Sequence, residues 1–189
     1  MPRPFFFGYG SLVNRNTHDY AEIHTARVLG WQRVWRHTSL RAVAFLSVTP
    51  APGKFIDGVI ATVPDGNWQE LDRREHAYDR LPLTAEDIRH DHPGPISVYM
   101  YRTRPQCDAP PDTRHPILQS YLDTVLLGYL DVFGAAGITH FIETTAGWEA
   151  PILQDRNSPI YPRAERPDAR TRQRFDDVLD RLGITRIAP

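Results

Sequence analysis

The chain has a single cysteine, Cys107, so no internal disulfide can staple it, and a reducing compartment fits. It also lacks an excess of either charge. Its 22 Lys and Arg face 23 Asp and Glu, a formal net charge of −1, which leaves no overall field to draw in nucleic acid or an anionic membrane. No apolar run reads as long enough for a transmembrane helix, and no basic leader with an apolar stretch and cleavage site opens the chain. Internal repeats and low-complexity tracts are absent too. These absences predict a cytoplasmic protein acting on a small molecule, with no nucleic acid or membrane partner, and leave the oligomeric state open. What is present suits independent folding: 189 residues, 41% of them hydrophobic and 24% charged, are the proportions of one ordinary domain.

Hydrophobic patterning divides the chain in two. Strand character runs from Phe5 to Gly8, His24 to Trp35, Val43 to Val48, Phe55 to Val63, Arg80 to Arg89 and Ile96 to Arg102. A turn is predicted at Pro50-Ala51-Pro52-Gly53, a bulge or close backbone approach at Gly58, and one short helix over Asn67 to Tyr78, capped by Asp65 or Asn67. So many strands with so few interruptions predict an α+β fold, a small mixed β-barrel with flanking helices, its core at about 5–104. Past a proline- and aspartate-rich linker at 105–116, a helical C-terminal extension covers about 112–189. Its long helix carries Ile117, Leu118, Tyr121, Leu122, Val125, Leu126, Tyr129, Leu130 and Phe133 at helical spacing, with Gly134 as a stop. That period makes Tyr121 and Tyr129 core residues. Further helices are predicted over Phe141 to Trp148 and Arg172 to Leu182.

Two places carry chemistry. In Phe5-Phe6-Phe7-Gly8-Tyr9-Gly10-Ser11-Leu12 a strand runs directly into a glycine-bearing turn, which can present bare backbone N–H groups to an anion or can simply be a tight hairpin. Glu75 lies four residues after Leu71, on the face of the short helix that Leu71 buries, so it is directed to a cleft rim; desolvation there would make it a usable base. The competing reading is a solvated glutamate paired with Arg73 or Arg74. Other patterns fail on their residues. Val13 stands where a dinucleotide fingerprint needs its third glycine, and Ser11 lacks a nucleophile elbow. Cys107 sits in the linker as a bystander, and His90 and His92 flank Asp91 with no third metal ligand at recognisable spacing, so they read as surface histidines. The segment 148–163, mixing prolines, large apolar groups and charges, is expected to wrap over the domain. Asp155, Arg156, Tyr161 and Arg163 then either roof a pocket and bind a carboxylate, or form an Asp155-to-arginine latch.

Tyr9-Gly10-Ser11-Leu12 after a hydrophobic strand, then Gly58-Val59-Ile60, then Leu71-Asp72-x-x-Glu75-x-x-Tyr78-x-Arg80 resembles the γ-glutamylcyclotransferase-like family in order and spacing, over about residues 5–102. The resemblance implies a small mixed barrel, an anion-holding turn at Gly10, Ser11 and Leu12, walls from Tyr9 and Tyr78, and Glu75 as general acid and base. The implied reaction cyclises a γ-glutamyl amide or peptide to 5-oxoproline and releases an amine or amino acid, without metal or organic cofactor. Two alternatives stay open: a barrel that binds a small anion without turnover, and amide hydrolysis or γ-glutamyl transfer at the same glutamate.

Overall fold

The structure, a computed structural model, describes residues 2–38 and 42–189. The strands are β1 (Arg3–Gly8), β2 (His24–Arg36), β3 (Phe45–Thr62), β4 (Tyr78–Leu83), β5 (Ile88–His90), β6 (Ile96–Thr103), β7 (Ile117–Leu118), β8 (Thr145–Ala146), β9 (Ile152–Leu153) and β10 (Arg186–Ile187). The helices are α1 (Gln69–Arg74), α2 (Gln119–Thr144) and α3 (Ala169–Arg181), and 3-10 turns at Ser11–Val13 and Arg15–Thr17 follow β1. Six strands pair in the order β4-β6-β1-β3-β2-β5, with β8 added beside β2. β1 is antiparallel to β3 and parallel to β6, so the sheet is mixed. It curls into a half-barrel whose edge strands are β4 and β5.

β1 explains why three phenylalanines follow one another. Side chains alternate across a strand, so a run apolar at every position is buried on both faces. Phe5 and Phe7 join the large core with Val28, Trp35 and the buried side of α2, whereas Phe6 joins a smaller core with Leu71, Tyr78 and Tyr101. α2 contributes Leu122, Val125, Leu126, Tyr129 and Phe141, all fully buried, and α3 adds Phe175 and Leu179 to that large core. Arg33, itself fully buried, ties sheet to helix by donating to Tyr129 Oη at 2.9 Å, Thr144 Oγ1 at 2.6 Å and the Asp57 carbonyl at 2.8 Å. Burial pulls its pKa down, and these acceptors share its charge. Gly58 is a close approach, as its place in the strand suggested: a Cβ there would lie 2.7 Å from Phe7 Cζ.

Several elements depart from their sequence-based expectations. Pro50 to Gly53 does not reverse the chain; β3 runs through it, and the register against β2 shifts between Leu29 and Trp31, a bulge that Gly53 accommodates with φ +80°. The segment Arg80 to Arg89 is two strands, interrupted where Asp87 accepts from Thr84 N at 2.8 Å. Gly134 ends the first helical stretch of α2, as its place in the sequence suggested: it turns through φ +67° and ψ −161°, conformations only glycine takes easily, and a second stretch then runs as far as Thr144, so the helix predicted over 141–148 lies too late. α2 is long and apolar enough to cross a membrane by length and composition, contrary to the expectation that no run is, but the same is true of a protein's core helix, and its apolar side is packed in the core. The 105–116 segment is no free linker, since His37 and Ala109 exchange both backbone hydrogen bonds. A small parallel sheet, β10-β9-β7, went unforeseen because two-residue strands carry no periodicity.

Candidate active site

The turn after β1 is shaped by its own backbone. Val13 N donates to Gly10 O and Asn14 N to Ser11 O, each at 3.0 Å, winding Ser11 to Val13 into a 3-10 turn. Leu12 and Val13 are buried, so the polar edge of the turn faces outward at Ser11. The turn is held down on α2: Asn14 Nδ2 donates to Thr124 O at 2.8 Å, and Gly128 lets the two backbones touch.

Glu75 closes the other side. α1 ends at Arg74, with Leu71 buried beneath it, and Glu75 is the capping residue, its N–H bonded to Leu71 O at 2.9 Å. Glu75, Ser11, Tyr78 and Tyr121 line both a cleft of about 360 Å³ and a small adjoining cavity of about 40 Å³ that reaches Gly8, Tyr9, Gly10 and Leu12. Residues more than sixty positions apart thus face one space. Glu75 lies on the cleft and also pairs with Arg74, whose Nε is 3.4 Å from Oε1, so the pairing of the competing reading holds but its solvated setting does not: the Glu75 side chain is only 18% exposed. The Arg74 guanidinium also donates to Thr17 O at 3.2 Å and Ser11 Oγ at 3.4 Å, so one arginine links the turn to the glutamate. It offsets part of the cost of keeping a carboxylate in a partly desolvated position.

Both tyrosines named from the sequence are walls. Tyr9 donates its hydroxyl to Tyr101 O at 2.7 Å and Tyr78 donates to Leu46 O at 2.9 Å. Burial, and then the nearby Glu75 charge, push the Tyr9 phenol well above its ordinary pKa, so it stays a neutral donor. Tyr121 is the residue that sequence reasoning missed. The period reads it as core with Tyr129, and its ring does pack on the core, edge to face with Trp35 at 5.9 Å, but it also lines the cleft, its hydroxyl beside Gly10 and the Ser11 backbone, and burial, followed by Tyr161 and the Glu75 charge, raises its pKa. Its ring meets Tyr161 edge to face at 5.0 Å.

The 148–163 segment divides. Ile160, Tyr161, Pro162 and Arg163 line the cleft. Asp155 and Arg156 do not: Asp155 accepts from Ser120 N at 2.8 Å, Ser120 Oγ at 2.5 Å and Ile160 N at 2.9 Å, and Arg156 pairs with Asp123 and Asp176. The latch exists, but it joins Asp155 to a helix start rather than to an arginine. Of the flanking histidines, His90 is exposed, whereas His92 is not a surface residue: its ring packs edge-on to Phe5 at 5.0 Å.

The curled mixed sheet is the fold of the γ-glutamyl cyclotransferases, and here its first strand ends in a Y-G-S-L turn faced across a cleft by a glutamate at a helix end. The chain belongs to the gamma-glutamyl cyclotransferase, AIG2-like family, whose model matches residues 6–120. Solved structures share the fold. They include the uncharacterized protein loc79017 from Homo sapiens (TM-score 0.55, 14% identity, 91% of this chain and 97% of that one). A gamma-glutamyl cyclotransferase is similar at TM-score 0.53 and 13% identity over 92% of this chain and 98% of that one. YkqA from Bacillus subtilis matches at TM-score 0.52 and 18% identity over 78% of this chain and 57% of its own. A comparison with curated proteins returns no match.

Proposed function

We propose that the protein cyclises a γ-glutamyl amide or peptide to 5-oxoproline, releasing an amine or amino acid, with Glu75 as the general acid and base. The observation that carries this reading is that Glu75 and the Tyr9-Gly10-Ser11-Leu12 turn line one cleft. The substrate's α-amine attacks its own γ-carbonyl, a five-membered ring closes, and the bond to the leaving nitrogen breaks. Nucleophile and electrophile are already joined, so catalysis is chiefly a matter of holding the folded-back conformer and moving protons. Glu75 takes a proton from the α-amine and returns one to the leaving nitrogen. Backbone N–H groups of Gly10, Ser11 and Leu12 hold the glutamyl carboxylate or the developing oxyanion, and Tyr9, Tyr78 and Tyr121 wall the head group. Arg74 and Arg163 line the wider cleft, where a leaving group that carries a carboxylate would lie.

The chain is taken as one unit over 1–189 because α2 and α3 share the core of the sheet. A small-molecule substrate and a cytoplasmic setting, without nucleic acid or membrane, rest on the balanced charge and the lone thiol. The test is 5-oxoproline release from a panel of γ-glutamyl amino acids, glutathione and γ-glutamylamines, with Glu75→Gln alongside. Turnover by the parent and none by Glu75→Gln is expected. Release that survives Glu75→Gln refutes the base, and thermal protection by the panel without turnover by the parent favours a binding barrel instead.

A further inference from the structure

Away from the cleft, the end of β2 meets the proline-rich segment. His37, just past β2, bridges to Ala109, and this brings its imidazole onto that of His115: the rings stack with centroids 3.9 Å apart and planes within 4°. Asp112 lies against both. Its Oδ1 accepts from His115 Nδ1 at 2.8 Å, and its Oδ2 is 3.5 Å from His37 Nε2. Ligand-type atoms of the three residues all fall within 4.8 Å of one another. All three side chains are only 16–27% exposed, and a cavity of about 360 Å³, lined by His37, Cys107, Asp108 and His115 among others, opens beside them.

We propose that His37, Asp112 and His115 form a binding site for a divalent transition metal ion of the zinc type. Two imidazoles and one carboxylate are a donor set for such an ion, and bonds of about 2.0–2.2 Å put neighbouring ligands of a tetrahedral site about 3.3–3.5 Å apart. The imidazole-to-carboxylate separations of 2.8 and 3.5 Å bracket that spacing, but an ion lies in the plane of each imidazole it binds and the two planes are parallel, so binding needs the rings to swing out of the stack and the His115 proton to leave Asp112. His37 Nδ1 is buried without a hydrogen-bond partner among the described residues, so nothing but packing holds this ring in the stack on that side. The cavity supplies the path from solvent and room for a water in the fourth position. A bound ion would cross-link β2 to the segment entering α2. Pro116, next to His115, accepts from Ala44 N at 2.9 Å, and Ala44 and Leu118 line the cleft, so the cross-link braces one cleft wall.

The test is calorimetric titration of untagged protein with Zn²⁺, with thermal unfolding in parallel. One ion per chain and a raised Tm are expected. His37→Gln and His115→Gln should each weaken binding by at least the about 10–100-fold that loss of a mere supporting residue costs a metal site. Asp112→Asn, which keeps its acceptor oxygen, should weaken binding even if a histidine variant fails to fold. A His24→Gln/His92→Gln variant, altering the other close histidine pair, should bind as the parent does. The proposal falls if the parent takes up no Zn²⁺, if the His37→Gln/His115→Gln double variant binds unchanged, or if the His24/His92 variant loses the ion.

Discussion

Gly128→Ala sets two effects of opposite sign against each other. Gly128 lies inside α2, where alanine is the better helix former by about 1 kcal/mol. Against that gain, a Cβ at 128 would lie 2.6 Å from Asn14 N and 2.8 Å from Asn14 Cα and Cβ. These are backbone and branch-point atoms, not the far end of a flexible chain, so the 3-10 turn must lift off the helix. Overpacking of this kind costs about 1–3 kcal/mol. Lifting also breaks the Asn14 Nδ2 to Thr124 O hydrogen bond at a buried site, which adds about 1–3 kcal/mol. The clash therefore wins, with a net loss of about 1–5 kcal/mol. Urea denaturation should show a lower midpoint at unchanged slope. Because Ser11 is three residues before Asn14 and lines the cleft, kcat/KM for 5-oxoproline release should fall as well. Gly134→Ala is the control. It meets no atom within 4 Å and suffers only from φ +67°, so it should cost stability without changing kcat/KM. A Gly128→Ala protein as stable as the parent would refute the packing argument.

Asp155→Ala leaves the buried Ser120 N–H without its acceptor, at about 1–3 kcal/mol, whereas water can take up the N–H of the exposed Ile160; chemical denaturation should register the Ser120 loss, and substrate KM should rise as Ile160 to Arg163 loosen over the cleft. Arg163→Ala should raise KM for γ-glutamyl amino acids by about 1.5–5-fold, as for loss of an exposed ionic contact, while leaving γ-glutamylamines unaffected; equal effects on both would refute a carboxylate contact. His18 is held as the neutral ring, Nε2–H donating to Leu12 O at 2.9 Å while Nδ1 accepts from Tyr20 N at 3.2 Å; burial chiefly, and Arg74, lower its pKa despite the Leu12 bond. The unfolded chain therefore binds a proton that the folded one resists, so stability is full above the ordinary histidine pKa of about 6.5 and declines as pH falls through the lowered folded value. Denaturation midpoints at a series of pH values from 7.5 to 5 should show that decline, and His18→Gln should flatten it.

What the sequence made legible is what local pattern carries. Three consecutive phenylalanines announce a strand buried on both faces, and the four-residue step from Leu71 to Glu75 places the carboxylate on the buried side of a one-turn helix end. Tyr121 was not legible for a physical reason. It shares its helix face with Tyr129, eight residues on, and periodicity reports the face but not what the face meets. At Tyr129 that face meets Arg33 and the sheet; two turns earlier it still meets the sheet at Trp35, but the hydroxyl end of Tyr121 reaches the cavity. Gly134 was legible as the end of the first helical stretch, but the second stretch that follows it without a loop was not, because a glycine marks a break and carries no signal of what comes after it. Ile160 to Arg163 are brought to the cleft by Asp155 on Ser120, a contact of which one partner is backbone and so leaves no sequence signal.

The extension therefore belongs to the site as much as the sheet does. The N-terminal half supplies the turn and the glutamate, which with Tyr121 of α2 line the small inner cavity of about 40 Å³. The larger volume, about 360 Å³, exists because Leu118 and Tyr121 from the start of the C-terminal half and Ile160 to Arg163 from its return loop stand over that pair. Both pieces are fastened at one point, the first turn of α2, where Ser120 holds Asp155 and its neighbour Tyr121 packs on Tyr161. A change at Ser120 thus acts on the outer cleft without touching Glu75. On the proposed function, proton transfer and leaving-group choice reside in different halves of the chain, so substrate preference can change while the chemistry proposed for Glu75 stays the same.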